Sequence, residues 1–234
     1  MSLPDVVSRD EWLAARAKLL AEEKALTRQH DRVNADRRRL PMVRVDKEYI
    51  FEGPDGKVAL AELFDGKRQL IVQHVMFGPD WDAPCPSCSL TIRQMTPALF
   101  DGLRNRDTAF VLVSLAPYSM IAAAKAERGW DVPWYSAYGS DFNYDYNVSF
   151  DSSRGESSYN YGTEPAEGEA GGVSCFLRDG DNVYHTYSAY ARGTEYLPSG
   201  FTYIDFTVLG RQESWEEPKS RADVMHAPTG SLNG

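Results

Sequence analysis

Apolar residues recur with different spacings along the chain, and each change of spacing marks a structural element. From Trp12 onward the apolar side chains Trp12, Leu19, Leu26 and Val33 fall on every seventh position, a helical spacing that produces a narrow stripe. Ser8-Arg9-Asp10-Glu11 has the form of a capping box, in which a Ser hydroxyl and a Glu carboxylate satisfy backbone donors at a helix start. A helix therefore begins there and runs to about Arg39, since Pro41 biases Leu40 away from helical backbone. Leu13 and Leu20 widen the stripe only near its start, and the other faces carry mixed charge ending in Arg37-Arg38-Arg39, which suits a helix C-terminus. Such a helix either covers a surface of its own domain or meets a partner chain.

The spacing then shortens. Partial alternation over residues 42–51, followed by Gly53-Pro54-Asp55-Gly56, predicts a strand entering a hairpin with a second short strand near Val58. Residues 61–64 read as a helical turn closed by Asp65-Gly66, and the nearly continuous apolar run 70–77 reads as an interior parallel strand. A helix over 85–103 with a kink at Pro97, an apolar strand over 109–115, a helix over 119–128 stopped by Gly129 and a strand over 132–138 complete a βαβαβ series. The Gly-, Ser- and Glu-rich stretch 155–172 predicts a mobile loop, and Asp179-Gly180-Asp181-Asn182 predicts a hairpin between strands 173–178 and 183–187. Residues 201–209 suit a further strand or short helix. The chain divides into a helical arm (1–41), an α/β domain (42–210) and a polar, poorly ordered tail (211–234).

Composition narrows the function classes. With 25 Lys and Arg against 34 Asp and Glu, the net charge of −9 gives no general attraction to nucleic acid or anionic lipid. No run of ~18 apolar residues occurs, and the opening Met1-Ser2-Leu3-Pro4-Asp5 lacks a basic and an apolar signal region, so neither export nor a membrane span is expected. The Asn147-Val148-Ser149 sequon carries no weight without such a signal. Three cysteines are too few for a disulfide framework and suit a reducing compartment, which points to the cytoplasm.

The candidate chemistry is Cys85-Pro86-Ser87-Cys88, placed after an apolar strand and a short loop and before a helix. A helix N-terminus favours the thiolate, so Cys85 is the expected nucleophile. Cys88, one turn further in, is the expected resolving thiol, and Pro86 at the first helical position holds the turn. No cofactor is needed for such chemistry. The other reading of the two thiols is a non-catalytic module, either a redox sensor or half of a zinc or copper site with His74, His185 and Cys175 as the remaining candidate ligands. His74 inside an apolar strand and His185 on a hairpin strand read more simply as hydrogen-bonded structural histidines, and Cys175 as a buried small hydrophobe. Asp80 and Asp82 oppose the helix dipole at Cys85 if they are close. The aromatic segment 130–161, with Trp130, Trp134, Tyr135, Tyr138, Phe142, Tyr144 and Tyr146, suits a core and subunit interface or a substrate groove. Asp141 and Asp145 read as loop caps. Trp81, Pro86, Tyr138 and Ser174 are the expected substrate contacts around the thiols.

Several motifs together resemble the bacterial thioredoxin-like family catalogued as domain-of-unknown-function 899, predicted dithiol-disulfide oxidoreductases. They are Glu11-Trp12-Leu13-Ala14-Ala15-Arg16, Val43-Arg44-Val45-Asp46-Lys47, Phe77-Gly78-Pro79-Asp80-Trp81 leading into Cys85-Pro86-Ser87-Cys88-Ser89, the run 138–145, and the run 185–193. The resemblance implies a thioredoxin-like fold and a redox role for Cys85 and Cys88 acting on a thiol or disulfide substrate. The chain departs from better-known relatives of that fold. Gly78 and Asp82 stand where a peroxiredoxin pattern has Pro and Thr or Ser, which sets a divergent thiol peroxidase behind an oxidoreductase. Gly171-Gly172-Val173-Ser174-Cys175 carries no proline where thioredoxins have a cis one. The exposed-looking arm and aromatic patch make a homodimer the expected assembly.

Overall fold

The computed structural model describes residues 6–155, 158–162, 168–194, 203, 204, 207, 209, 210 and 212. Helix α1 (Arg9–Arg37) starts on the capping box: the Glu11 N–H donates to Ser8 Oγ, and the Glu11 carboxylate accepts the Ser8 N–H at 2.9 Å. Its fully buried residues lie at its C-terminal end. Asn34 and Ala35 are buried, Arg38 just beyond is 3 % exposed, and Arg37 stacks over Tyr187 at 5.0 Å. Trp12, Leu19, Leu26 and Val33 are exposed, so among the described residues nothing buries the stripe.

The stretch 42–51, which alternation predicts as one strand, forms two: β1 (Val43–Arg44) and β2 (Ile50–Gly53). β3 (Gly56–Ala59) closes the expected hairpin with β2, and a 3-10 turn over Glu62–Phe64 ends at Asp65 in the left-handed region. β4 (Gln69–His74) and β5 (Thr108–Ser114) are fully buried and parallel, as continuous apolar runs require, and β6 (Trp134–Ser136) adds a third parallel strand of three residues. β7 (Ser149–Phe150) and β8 (Gly168–Glu169) form a small separate sheet. β9 (Gly172–Asp179) and β10 (Asn182–Tyr190) are the predicted hairpin, turning through Gly180 at φ 58°.

The main sheet runs β1-β10-β9-β4-β5-β6-β2-β3. β1 and β2 lie six strand spacings apart in this order, a distance of about 29 Å across a flat sheet. The six residue steps from Arg44 to Ile50 reach at most about 22 Å. The sheet therefore has to curl, and the linking residues bond to both ends: Val45 N–H to the Val183 carbonyl at 2.9 Å, and Leu60 N–H to the Tyr49 carbonyl at 3.0 Å. The strand over 42–51 breaks because its two halves join opposite ends of the sheet, one beside β10 and the other between β6 and β3.

The helix predicted over 85–103 is also two elements, α2 (Pro86–Gln94) and α3 (Pro97–Arg104), with Met95 and Thr96 extended at ψ 118° and 158°. The Pro97 ring excludes helical backbone at Thr96, and Pro97 then serves as the first residue of a new helix rather than as a kink in an old one. α4 (Tyr118–Arg128) ends at Gly129 in the left-handed conformation, and α5 (Phe142–Asp145) is a single turn.

Alternate residues of β4 face opposite sides of the sheet. Ile71 and Val75 join Phe77, Ile92, Leu103 and Leu112 on one face, with Cys88 packed against them. Leu70 and Val72 join Val111, Val113, Phe142 and Phe176 on the other. Two parallel crossover units, an antiparallel hairpin along β4 and helices packed on the sheet constitute the expected α/β thioredoxin-like fold. Among the described residues no helix is long and apolar enough to cross a membrane. Most of 195–234 lies outside the described residues. Within it Tyr203 is buried and donates to Gln73 Oε1 at 3.0 Å, Leu209 N–H donates to Gln69 Oε1 at 3.1 Å, and Gln212 Nε2 donates to the Arg106 carbonyl at 2.8 Å.

Candidate functional site

Beyond β4 the chain folds back on itself before entering α2. Cys85 N–H donates to the Met76 carbonyl at 3.0 Å, Trp81 N–H to Gly78 at 3.2 Å, and Ala116 N–H from the end of β5 to Phe77 at 2.8 Å. These bonds seat Cys85 at the N-cap of α2 with extended backbone, and Pro86 fills the first helical position, where a missing N–H costs little. Cys88 follows one turn later, 4.1 Å from Cys85, and both are free thiols.

The two thiols are pushed apart in acidity. Partial burial by itself raises Cys85, but hydrogen bonds from the Ser87 hydroxyl at 3.0 Å, from the backbone N–H groups of Cys88 and Ser87 and from the Cys88 thiol outweigh it and hold Cys85 below the ordinary thiol value. Deeper burial pushes Cys88 up to about 11, and the neighbouring Cys85 adds to the rise. The Cys85 sulfur is thus shifted toward the thiolate and the Cys88 sulfur toward the protonated thiol. Asp80 and Asp82 are exposed.

A cleft of about 390 Å³ opens beside Cys88 between α2 and the start of β9, lined by Ser87, Thr91, Tyr159, Gly171, Gly172 and Thr194 among others. Tyr159 is clamped there: its hydroxyl donates to the Gly171 carbonyl at 2.6 Å and accepts the Ala191 N–H at 2.8 Å. Part of the stretch predicted as a mobile loop is thus wall of the cleft. Gly172 lies where a side chain would not fit, since a Cβ there would meet Tyr190 Cδ1 at 2.8 Å. Tyr159 belonged to the aromatic-rich segment, and the Gly171-Gly172 pair ahead of a strand is a signal of close backbone approach.

Of the expected substrate contacts, Pro86 is exposed beside Cys85. Trp81 is 37 % exposed and lies over Gly78, its Nε1 3.1 Å from where a Cβ would stand; it borders a separate groove with Phe77, Met120 and Arg128. Tyr138 is exposed beyond β6, outside the lining of the Cys88 cleft. Ser174 lies apart from the two thiols. It has no exposed surface and pairs in register with Val72, on the sheet face opposite Cys88, because strand alternation gives Val173 and Cys175 to the cysteine side.

Ser174 belongs instead to a buried chain of hydrogen bonds: His74 Nε2 to Ser174 Oγ at 2.9 Å, Ser174 Oγ to Ser188 Oγ at 2.9 Å, and Ser188 Oγ to His185 Nε2 at 2.8 Å. Complete burial and the nearby His185 push His74 down to about 3, so it stays neutral. Cys175 is enclosed in β9 and raised to about 12 by burial. None of these three candidate ligands converges with Cys85 and Cys88, and no group of three His, Cys, Asp or Glu side chains gathers among the described residues. Asp141 and Asp145, read as caps, form ion pairs: Lys47 Nζ reaches both at 2.7 Å, Arg154 reaches Asp141 at 2.9 Å, and Tyr49 donates to Asp145 at 2.7 Å. The long-range partner Lys47 was invisible at the level of local sequence.

Glu169 on β8 went unremarked in the sequence. Its Cγ lies 3.6 Å from where a Gly78 Cβ would be, against the loop that leads to Cys85. Burial pushes its carboxyl up to about 7, although the Ser149 hydroxyl donates to it at 2.9 Å.

Comparison with known proteins places these features in context. Peroxiredoxin Q from Xanthomonas campestris is similar over 60 % of this chain and 78 % of its own, at 11 % identity and a TM-score of 0.40. A thiol peroxidase from Chromobacterium violaceum covers 65 % of this chain and 81 % of its own at 18 % identity and 0.40. A yeast mitochondrial 1-Cys peroxiredoxin covers 70 % and 74 % at 12 % identity and 0.43. No curated protein sequence matches the chain. The family model described as bacterial protein of unknown function, DUF899, matches residues 1–227, and the chain belongs to that family.

Proposed function

We propose that the protein is a dithiol-disulfide oxidoreductase. The observation that carries this reading is the opposite displacement of two thiols 4.1 Å apart at one helix N-terminus, Cys85 toward thiolate and Cys88 toward thiol. The Cys85 thiolate attacks one sulfur of a substrate disulfide, the substrate S–S bond breaks, and the released thiolate takes a proton from water. Cys88 then gives its proton to solvent and attacks Cys85 Sγ, which frees the second substrate thiol and leaves a Cys85–Cys88 disulfide. Two electrons pass from protein to substrate, and a reducing thiol runs the same steps backward.

Equilibration against defined thiol-disulfide buffers, with both cysteines followed by mass spectrometry, tests the reading. A reversible two-electron transition between about −120 and −270 mV, the span of known exchange proteins, is expected, with Cys88→Ser trapping a mixed disulfide on Cys85. A pair that stays reduced across that range overturns it.

A further inference from the structure

We propose that the two sulfurs serve different partners: the substrate disulfide is met at Cys85, whereas a low-molecular-weight thiol that restores the oxidised protein enters the cleft and attacks Cys88. This rests on the exchange chemistry proposed above and adds the route by which the oxidised pair is reduced. Reversal of substrate reduction returns through Cys85, and the cleft supplies a second way in. Exchange at sulfur is an in-line displacement, so a thiolate attacking one end of the Cys85–Cys88 bond approaches from the side away from the other end. Attack on Cys88 therefore needs open space against Cys88 and not against Cys85. The cleft of about 390 Å³ meets that need: Cys88 lines it and Cys85 does not, and Cys88 is half-buried rather than sealed. Its size is that of a small-molecule site. The wall facing α2 is fixed. Tyr159 is bonded to the Gly171 carbonyl and the Ala191 N–H, and its ring meets Phe150 and Tyr190 edge-on. The chain then turns at once, with Gly162 N–H donating to the Tyr159 carbonyl at 3.0 Å and with Asn160 and Tyr161 left-handed at φ 55° and 58°. A slot of this kind suits a small thiol, whereas a thiol fixed to a protein surface has to carry its backbone past the turn.

The choice of leaving group points the same way, since the more acidic thiol departs faster. When Cys88 is attacked, Cys85 leaves, and its charge is met by the Ser87 hydroxyl 3.0 Å away and by the Ser87 and Cys88 N–H groups. When Cys85 is attacked, the charge falls on Cys88, where deeper burial opposes it. The steps balance. The first thiol gives its proton to water, its sulfur bonds Cys88 Sγ, and the Cys85–Cys88 bond breaks with its electron pair on Cys85. A second thiol attacks the sulfur of the first, and the two leave as a disulfide while Cys88 takes up a proton. Two electrons pass to the protein. Cys88 acts here as the electrophile, so its reluctance to lose a proton when reduced is no obstacle.

The test uses the full-length protein oxidised to its Cys85–Cys88 disulfide and mixed with excess 2-mercaptoethanol. Samples are quenched at successive times with concentrated N-ethylmaleimide, and the peptide carrying both cysteines is fragmented by mass spectrometry to place each label. The earliest product is expected to carry the hydroxyethylthio group on Cys88 and the maleimide on Cys85. Thr91→Trp, which fills the cleft from the α2 side, is expected to slow reduction severalfold and to move the adduct toward Cys85. An earliest adduct on Cys85 in the parent protein refutes the Cys88 route and leaves the oxidoreductase reading standing. So does a Thr91→Trp variant that is reduced as fast as the parent with its adduct still on Cys88. If no Cys85–Cys88 disulfide forms at all, both fall.

Discussion

Two buried titratable groups pull the pH dependence of stability in opposite directions, and replacing either one exposes the other. His74 ordinarily titrates at 6.5 and is pushed down to about 3 by burial and by His185. Its folded value lies below its unfolded value, so between those limits only the unfolded chain binds the proton. Stability from this group is present above pH 6.5 and is lost as pH falls. Glu169 ordinarily titrates at 4.5 and is pushed up to about 7 by burial. Its folded value lies above the unfolded one, so its contribution is present below pH 4.5 and is lost as pH rises through 7. Each group changes stability by about 1.4 kcal/mol per pH unit inside its window. From pH 4.5 to 6.5 the windows overlap and the two slopes cancel. Urea denaturation of the parent, His74→Gln and Glu169→Gln across this range reads the effect as differences from the parent. Relative to the parent, His74→Gln should lose about 2 to 3 kcal/mol of stability as pH rises from 4.5 to 6.5, and Glu169→Gln should gain about as much. Gln at 74 keeps an amide for Ser174, and Gln at 169 keeps an acceptor for Ser149, which holds the packing comparable. Difference curves that are flat for both variants would refute the claim that these side chains are held out of water.

The thiols should separate under alkylation at pH 7: iodoacetamide modifies Cys85 first, while Cys88 and Cys175 react only on unfolding, as mass spectrometry of the peptides will show. Ser87→Ala, which removes the hydroxyl 3.0 Å from Cys85 Sγ, should slow that first reaction severalfold at pH 6 and leave the thermal midpoint unchanged. Phe142→Ala empties a site with no exposure, ringed by Tyr49, Phe51, His74, Tyr146 and Phe176; it should cost about 3 to 5 kcal/mol in chemical denaturation. Two glycine substitutions should differ in sign by the same assay. Gly102→Ala, in α3 with nothing within 4 Å of the new Cβ, gains about 0.5 to 1 kcal/mol, whereas Gly172→Ala forces Tyr190 and Val148 aside and loses about 1 to 3 kcal/mol.

Much of this protein was legible from local sequence because the controlling interactions are local. The capping box at Ser8 and Glu11, the stop at Gly129, the turn at Gly180 and the helix-terminal position of Cys85 each depend on a few consecutive residues. The continuous apolar runs of β4 and β5 identified buried parallel strands because both sheet faces are covered. What depends on curvature and strand register was hidden. Residues 42–51 split because curling brings opposite ends of the sheet within reach of one short linker, a fact that alternation cannot carry. The face that Ser174 takes was hidden too, because a one-residue step along β9 exchanges the cysteine side for the opposite core. Tyr159 and Glu169 reach the site only through tertiary contacts with Gly171, Ala191 and Gly78. Short-range backbone preferences decided where the elements begin and where the nucleophile stands. Only the packed structure decided which side chains are dry enough, and close enough, to tune it, since desolvation and long-range contact exist only once the chain has folded.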